Sequence, residues 1–469
     1  MQGVINRLIN ALGSGKVITS DEVLGRYSRD FWPLLIMREQ VLNEELQKPL
    51  AVIIPESVDD ISLTLRVINE SGDAVPVVVY GGGSSVTGAS YGAGSIIIDM
   101  TRLNRIIDIN TYDSLVTVEA GAKLRDVENK LNGVGYSLRH IPQSFNYATI
   151  GGLIATMSSG QYSTLYGNIE DMVINMEVVL PNGNITWLRN NNAPRASTGP
   201  SLKYLFIGSE GMLGVITKAV LRIVSLPTST IYGAYSFKTL EQGVEALREL
   251  MIKRIIPVIA RLYDGNEAAL RFSANEPLLI ISFEGYYDDL VQSLWRRADE
   301  IIRSHGGEYV GSRYFEDWLR TRFNVEEEIE MVKKYGLWFD TIEISTTWSK
   351  INQLYRDFRE SLLKVNGVVG VMAHISHLYI NGACIYFTVL FKPGVNTYWE
   401  LWSRAMEVTL RNGGSISHHH GVGIVRSRWL GHELGNALNI LRIIKAALDS
   451  KGVLNTKSNM FFTGSMGSR

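Results

Sequence analysis

Three glycine clusters, each set beside apolar runs of strand length, constrain this chain more than any other feature. The first is Tyr80-Gly81-Gly82-Gly83-Ser84-Ser85-Val86-Thr87-Gly88, which directly follows the apolar residues 75–80. The second runs from Thr149-Ile150-Gly151-Gly152 to Ser158-Ser159-Gly160, and the third is Gly208-Ser209-Glu210-Gly211-Met212-Leu213-Gly214. Glycine lets backbone come close to a ligand, and successive amides form an anion-binding nest. Any one cluster alone is explained equally well by a tight turn. Three of them between strands point to backbone from several places closing round one extended, phosphate-bearing ligand.

The common nucleotide signatures do not account for these loops. Gly13-Ser14-Gly15-Lys16 has Asn10 where a P-loop needs its first glycine and Val17 where it needs Ser or Thr, and Gly421-Val422-Gly423 lacks the third glycine of a dinucleotide fingerprint. Lys and Arg number 46 against 47 acids, a net charge of -1. That balance gives no general attraction to nucleic acid, so none is expected as a partner. Cys384 is the single cysteine, which rules out an intrachain disulfide and suits a reducing compartment. Residues 1–13 lack the apolar core of a secretory signal. The apolar runs 51–55 and 94–100 fall far short of the roughly 20 residues that span a bilayer. A cytoplasmic location is expected.

Around the loops, strand and helix patterns alternate. Residues 51–55, 75–80, 95–99 and 115–118 read as strands, and 57–70 and 124–131 as helices. Glycine-rich turns are expected to dominate 151–214, with 215–224 as a closing strand and Pro227 as a boundary. Helical stretches at 240–253, 288–305 and 350–365 then alternate with strands at 278–283 and 385–390, which predicts a sheet covered by helices on one face. Residues 1–47 read as a helical segment with a helix start at Ser20-Asp21-Glu22, and the small, polar residues 463–469 as an appended tail. The expected organisation is α+β, with a first domain over 48–226 and a second over 227–462.

Several side chains stand out for their chemistry. His418-His419-His420, if on a strand, would place His418 and His420 on one face and His419 on the other. Imidazoles titrate near neutrality and can give or take a proton; a metal patch or a surface turn would also explain them. Tyr386 lies in an apolar strand, where a core tyrosine is the ordinary expectation. Arg261 ends the apolar run 255–262, where an unpaired cation is costly, and Asp264 is its nearest acidic neighbour in sequence.

Residues 76–88, Asp99-Met100-Thr101-Arg102, the Gly151-Gly152 pair and residues 208–217 resemble, in order, the FAD domain of the vanillyl-alcohol-oxidase superfamily over residues 48–226. The resemblance implies a two-subdomain PCMH-type FAD-binding domain followed by an α+β substrate (cap) domain, with the flavin ring at their junction. It implies cofactor contacts from Gly81, Gly82, Gly83, Ser84, Ser85, Val86 and Gly88. Further contacts are implied from Pro142, Gly151, Gly152, Thr156, Ser159 and Gly160, and from Glu210, Gly211, Gly214, Val215 and Ile216. Some relatives attach FAD to a histidine in the first loop. Ser84 stands there in this chain, so the resemblance implies noncovalent FAD.

From about residue 30 to 460 the chain is similar to alkyldihydroxyacetonephosphate synthase. The motifs are Tyr166-Gly167-Asn168-Ile169-Glu170-Asp171, Ser197-Thr198-Gly199-Pro200, Ala260-Arg261-Leu262, Gly382-Ala383-Cys384-Ile385-Tyr386-Phe387, and Ser417-His418-His419-His420-Gly421-Val422-Gly423 followed by Arg426 and Arg428-Trp429-Leu430. That similarity implies an enzyme that exchanges an acyl group for a long-chain alcohol through an adduct at flavin N5, with no net electron transfer. Tyr386, His418, His419 and His420 would handle protons, and Arg261 would fix the substrate. A lipid-like substrate implies transient contact with a membrane surface, and a homodimer stays open as the assembly.

The alternative is an FAD-linked dehydrogenase or oxidase of a D-2-hydroxy acid (lactate or glycolate type) or polyol phosphate. Related hydroxy-acid dehydrogenases use histidines at the position of the His374/His377 pair, with a Glu before the later His-Gly. His419 occupies that Glu position here. His374 and His377 are therefore read as a polar, substrate-binding wall, and no bound metal is expected. The synthases also carry a substrate-binding arginine where residues 324–330 hold four acids and none, leaving Arg320 or Arg322 as the cation to reach in.

Overall fold

The computed structural model describes residues 2–72, 75–324, 329–330 and 333–455. Three short strands, Ala51–Ile53, Val77–Tyr80 and Ile96–Asp99, are apolar almost throughout. Strands of that kind suit burial on both faces of a parallel sheet, and Ile96–Asp99 pairs in parallel with each of the other two. The crossover helix Val58–Ser71 begins at Ser57, whose side chain accepts from the Asp60 backbone while Asp60 reaches back to the Ser57 N–H, a capping box.

Residues 1–47 are not wholly helical. Helices cover Gln2–Leu12, Asp21–Gly25 (with Ser20 as its N-cap) and Pro33–Gln40. Between them the β-branched pair Val17–Ile18 joins the sheet edge antiparallel to Val52 and Ile53.

A five-stranded antiparallel sheet forms the second half of the first domain, in the order Ile106–Asn110, Leu115–Glu119, Val215–Arg222, Val173–Val179, Ile185–Trp187. The sequence pattern missed three of these strands. Ile106–Asn110 is a half-exposed edge whose polar residues blur the alternation, and Val173–Val179 and Ile185–Trp187 lie inside the stretch read as turns. Gly151 and Gly152 also depart from the turn expectation, since they sit in the helix Ile150–Ala155. A Cβ on Gly151 would lie 2.7 Å from the Ala120 side chain, so this glycine lets the helix start pack against the end of a strand.

The second domain is built on a seven-stranded antiparallel sheet. Its order is Glu308–Gly311, Ser229–Ser236, Leu278–Gly285, Ile259–Tyr263, Val368–Leu378, Gly382–Phe391, Trp338–Thr347. Helices Leu240–Ile252, Asp288–Ser304, Trp348–Leu363 and Val395–Arg411 cover one face, burying Ala260, Leu262, Ala373, Ile375, Ile385 and Phe387. Strand alternation sends the intervening residues to the opposite face. The chain then returns to the first domain, where Leu430, Leu438, Val453 and Leu454 join its core and Asn455 bonds to the carbonyls of Ala89 and Glu210.

Candidate active site and cofactor cradle

The first glycine loop meets the chemistry required of a pyrophosphate cradle. Among the described residues, the backbone N–H groups of Gly82, Gly83, Ser84, Ser85 and Val86 donate to no protein acceptor. Five consecutive free amides suit an anion. Ser85 Oγ shapes the loop by accepting from the amides of Thr87 and Ala89. The glycines themselves have another reason to be there. A Cβ on Gly82 would lie 2.0 Å from the Tyr147 carbonyl oxygen, and one on Gly83, at φ +62, would strike the Tyr80 ring. The loop is glycine-rich because protein backbone and side chains press against it, as well as for any approach of phosphate.

Two glycine loops also clamp the segment after the histidines. The Thr87 carbonyl accepts from Ile424 N and Val425 N. Glu210, fully buried in the third loop, accepts from Val422 N and Gly423 N at 2.7 and 3.0 Å. Its carboxylate is thus committed to protein amides rather than to cofactor. The histidine loop is fixed in this way beside the cradle.

Four adjacent cap strands contribute a row of functional side chains on the face left free of the long helices. Arg261, His374, Tyr386 and Glu343 lie side by side, with His374 paired in register to Tyr386 and Tyr386 to Glu343. Arg261 makes no contact with Asp264, which instead caps the next helix by accepting from Glu267 N. The guanidinium bonds to Tyr263 Oη at 2.9 Å and His374 Nε2 at 2.7 Å. Arginine can only donate, so Nε2 accepts and Nδ1 carries the proton. That proton goes to Glu267, 2.9 Å away, whose carboxylate also pairs with Arg271. Both ring nitrogens of His374 are therefore engaged. Burial pushes this imidazole down to about 4, and it is neutral near pH 7.

Residues 418–420 form a bend, not a strand. The isolated bridge Ser345–Ser415 ends the pairing just before them, and the backbone N–H groups of His418 and His420 turn onto the buried Glu343 carboxylate. Without strand alternation, His418 and His419 can approach each other, with their Nδ1 atoms 2.8 Å apart. His419 Nε2 lies 3.0 Å from the Tyr386 hydroxyl, and His377 Nε2 lies 2.8 Å from it on the other side. Tyr386 is therefore no core tyrosine held by one structural partner; its hydroxyl sits between two imidazoles. His420 points instead toward Glu343, 3.6 Å from its carboxylate.

The electrostatics favour a neutral cluster. Burial pushes His377 and His419 well below the usual imidazole range, lowers His418, and brings His420 to about 4. Burial likewise pushes the Tyr386 hydroxyl well above its ordinary value. The fixed charges lie behind the cluster. Burial would raise the Glu343 carboxyl, but Arg426, 3.1 Å away with both side chains fully buried, holds it well below the usual range.

Several of the residues expected at the site have other roles. Ser159, expected at the cofactor, bonds to His377 Nδ1, as does Ser163. The Thr156 hydroxyl is spent on the Gly152 carbonyl. Arg320 pairs with Asp317 at the surface, whereas Arg322 reaches Gln161 and Tyr162 and lies 5.3 Å from the Trp318 ring. Residues 325–328, within the acidic stretch, lie outside the described residues. Among the described residues, the three-residue group with metal-ligand spacing is not centred on His374 and His377. It comprises Cys384, His418 and His419, with ligand atoms within 4.8 Å of one another. Sequence reasoning did not single out Glu343, Glu267 or Tyr379. No local pattern marked them: Glu343 shares its strand with Asp340, and Glu267 lies in a mixed helix with Arg271.

Comparison with known proteins agrees with this geometry. Residues 49–189 match the FAD binding domain family and residues 226–458 the C-terminal domain of FAD linked oxidases. The chain is 31% identical over 477 residues to the uncharacterized FAD-linked oxidoreductase YgcU of Escherichia coli (strain K12), covering 97% of both chains. It is 28% identical over 480 residues to alkyldihydroxyacetonephosphate synthase of Dictyostelium discoideum, covering 93% of this chain and 77% of that protein. A mitochondrial D-lactate dehydrogenase [cytochrome] of Arabidopsis thaliana is 26% identical over 425 residues, 87% of this chain and 72% of that one. A solved alkyldihydroxyacetonephosphate synthase structure superposes with a TM-score of 0.80 at 24% identity, covering 97% of this chain and 84% of that one. A p-cresol methylhydroxylase structure gives 0.81 at 15% identity, covering 99% and 98%. This chain is an FAD-dependent enzyme of the FAD-linked oxidase family, in the alkyldihydroxyacetonephosphate synthase-like branch of the PCMH-type superfamily.

Proposed function

We propose that the enzyme exchanges an acyl group for a long-chain alcohol on a small substrate, with no net oxidation, a reading supported by its similarity to alkyldihydroxyacetonephosphate synthase. The observation that carries this reading is the Tyr386 hydroxyl held between His377 Nε2 and His419 Nε2. Bound FAD supplies an electron-poor ring against which a substrate carbon can react. The protein's own contribution is proton movement and positioning. Tyr386 can take a proton from the substrate while passing its own to His377 Nε2. The resulting imidazolium keeps its Nδ1–H on the Ser159 and Ser163 oxygens. The return path delivers that proton to the departing carboxylate, and the proton that the entering alcohol gives up replaces the one taken from the substrate. Arg261, steadied by His374 and Tyr263, faces the same row and would orient the substrate's polar group.

A hydroxy-acid dehydrogenase is the second reading, supported by the full-length similarity to an FAD-linked oxidoreductase. Its expected metal has little support at the His374/His377 pair, because His374 has no free ring nitrogen and His377 bonds at both of its own. The deciding measurement is anaerobic. Acyl–alcohol exchange on the FAD-loaded protein, with the flavin oxidised at the end, is the expected result. Bleaching of the flavin by a 2-hydroxy acid, without exchange, would replace this proposal by the dehydrogenase.

A further inference from the structure

The hydrogen bonds around Tyr386 do not end at the two histidines; they close on themselves through Asn168. His418 Nε2 lies 2.6 Å from the Tyr379 hydroxyl, and the Asn168 amide nitrogen donates to that hydroxyl at 3.2 Å. On its other side the Asn168 amide oxygen accepts from Ser159 Oγ at 2.6 Å, and Ser159 Oγ is 2.9 Å from His377 Nδ1. The circuit therefore runs from Asn168 through Ser159, His377, Tyr386, His419, His418 and Tyr379 back to Asn168. Every ring nitrogen of three histidines is used, and His377 Nδ1 has a second partner in Ser163 Oγ at 2.6 Å.

We propose that Asn168 is a positioning residue whose amide, by offering an acceptor on one side and a donor on the other, fixes the tautomers of His377, His418 and His419 and so the direction in which Tyr386 gives its proton. Each side chain has a fixed inventory of donors and acceptors, so the sense of the circuit follows from counting hydrogens. Ser159 has one hydrogen, and Asn168 takes it. Ser159 can then only accept at His377 Nδ1, and Ser163 Oγ, the second partner of that nitrogen at 2.6 Å, accepts beside it, which leaves His377 Nε2 bare to accept from Tyr386 O–H. The Tyr386 oxygen then accepts from His419 Nε2–H. His419 Nδ1, now bare, accepts from His418 Nδ1–H, and His418 Nε2 accepts from Tyr379 O–H. The Tyr379 oxygen finally accepts from the Asn168 amide. All seven links then hold one hydrogen each. In the reverse sense, lone pairs of Ser159 and His377 would face each other across 2.9 Å.

The local fold explains why Asn168 is available. It precedes the short helix Ile169–Met172, and its backbone N–H is tied to Asp171 at 2.9 Å. Histidine tautomers are set by the partner of the second nitrogen, and here that control is passed along a chain from one neutral amide.

The consequence for catalysis rests on the reading of Tyr386 given above, whereas the tautomers do not, and the two can be tested apart. The FAD-loaded protein labelled with ¹⁵N-histidine distinguishes protonated from bare ring nitrogens by NMR, for a chain with eight histidines. The expected set is Nδ1–H for His377 and His418 and Nε2–H for His419. Asn168→Asp offers acceptors on both sides, so Tyr379 should turn its hydrogen to Asp and draw an Nε2–H from His418. That shift propagates to Tyr386, leaving one hydrogen for two bare imidazole nitrogens, and turnover should fall by about 10²-fold. Finding His418 as Nε2–H and His419 as Nδ1–H in the unaltered protein would overturn the proposal whether or not the variant folds. So would an unchanged His418 tautomer in folded Asn168→Asp. Full turnover in Tyr386→Phe, with the expected tautomers present, would instead remove the catalytic reading and leave the circuit standing.

Discussion

Replacing Glu343 with Gln tests whether the histidine loop is held by a buried charge. The Glu343 carboxylate forms an ion pair with Arg426 at 3.1 Å and accepts from His420 N at 2.8 Å, from Ser417 Oγ at 3.1 Å and from His418 N, and both it and Arg426 are fully buried. Glutamine keeps the shape but removes the counter-charge and one acceptor. Arg426 would keep only carbonyl partners, those of Gly421 and Glu343. Breaking a buried ion pair by removing one partner costs about 3–5 kcal/mol, and removing both partners costs much less. The denaturant midpoint should fall accordingly with an unchanged slope. A Glu343→Gln/Arg426→Met double variant should recover part of the loss.

The pH dependence has a defined sign. A carboxyl held below its usual range contributes stability that is fully present above its unfolded value, about 4.3 for glutamate. That stability is lost as pH falls through the lowered folded value. The wild type should therefore lose stability on acidification below about pH 4.3, and the single variant should lack that part of the slope. An unshifted midpoint in Glu343→Gln, or strictly additive effects in the double variant, would refute the reasoning.

Other expectations follow from the same geometry. Tyr386→Phe and His419→Ala should each lower turnover per bound FAD by roughly 10²–10⁴-fold. If Tyr386 only packs, the variant should instead lose about 1–3 kcal/mol of stability at normal turnover. Gly82→Val should lower the melting midpoint of the protein even without FAD, because the new side chain meets the Tyr147 carbonyl; a loss confined to FAD affinity would contradict this. Acid precipitation should release the yellow colour to the supernatant, as Ser84 offers no attachment chemistry of the kind a histidine would; flavin retained on the pellet would defeat that expectation. Elemental analysis should find less than one zinc or manganese per chain, and chelation should leave activity intact. A stoichiometric metal would show that Cys384, His418 and His419, whose ligand atoms already lie together, hold one instead of a hydrogen-bonded circuit.

Elements whose pattern is local were legible in the order of the amino acids. Apolar residues 51–53 and 96–98 read as buried strands because nothing polar interrupts them, and Ser57 and Asp60 announce their helix within four residues. The glycine loops, the histidine triplet, Arg261 and Tyr386 were visible as chemistry. The weakly alternating strand Ile106–Asn110 was not, because an edge exposed to solvent imposes little pattern. Nor could the sequence show that His418 and His419 would face each other, since that depends on Glu343, 75 residues earlier, pulling their backbone out of a strand. Ser159 and Asn168 lie more than 200 residues from their partners His377 and Tyr379. Contacts at that separation leave no periodic trace, because hydrogen-bond complementarity between distant side chains exists only once two domains have packed around it.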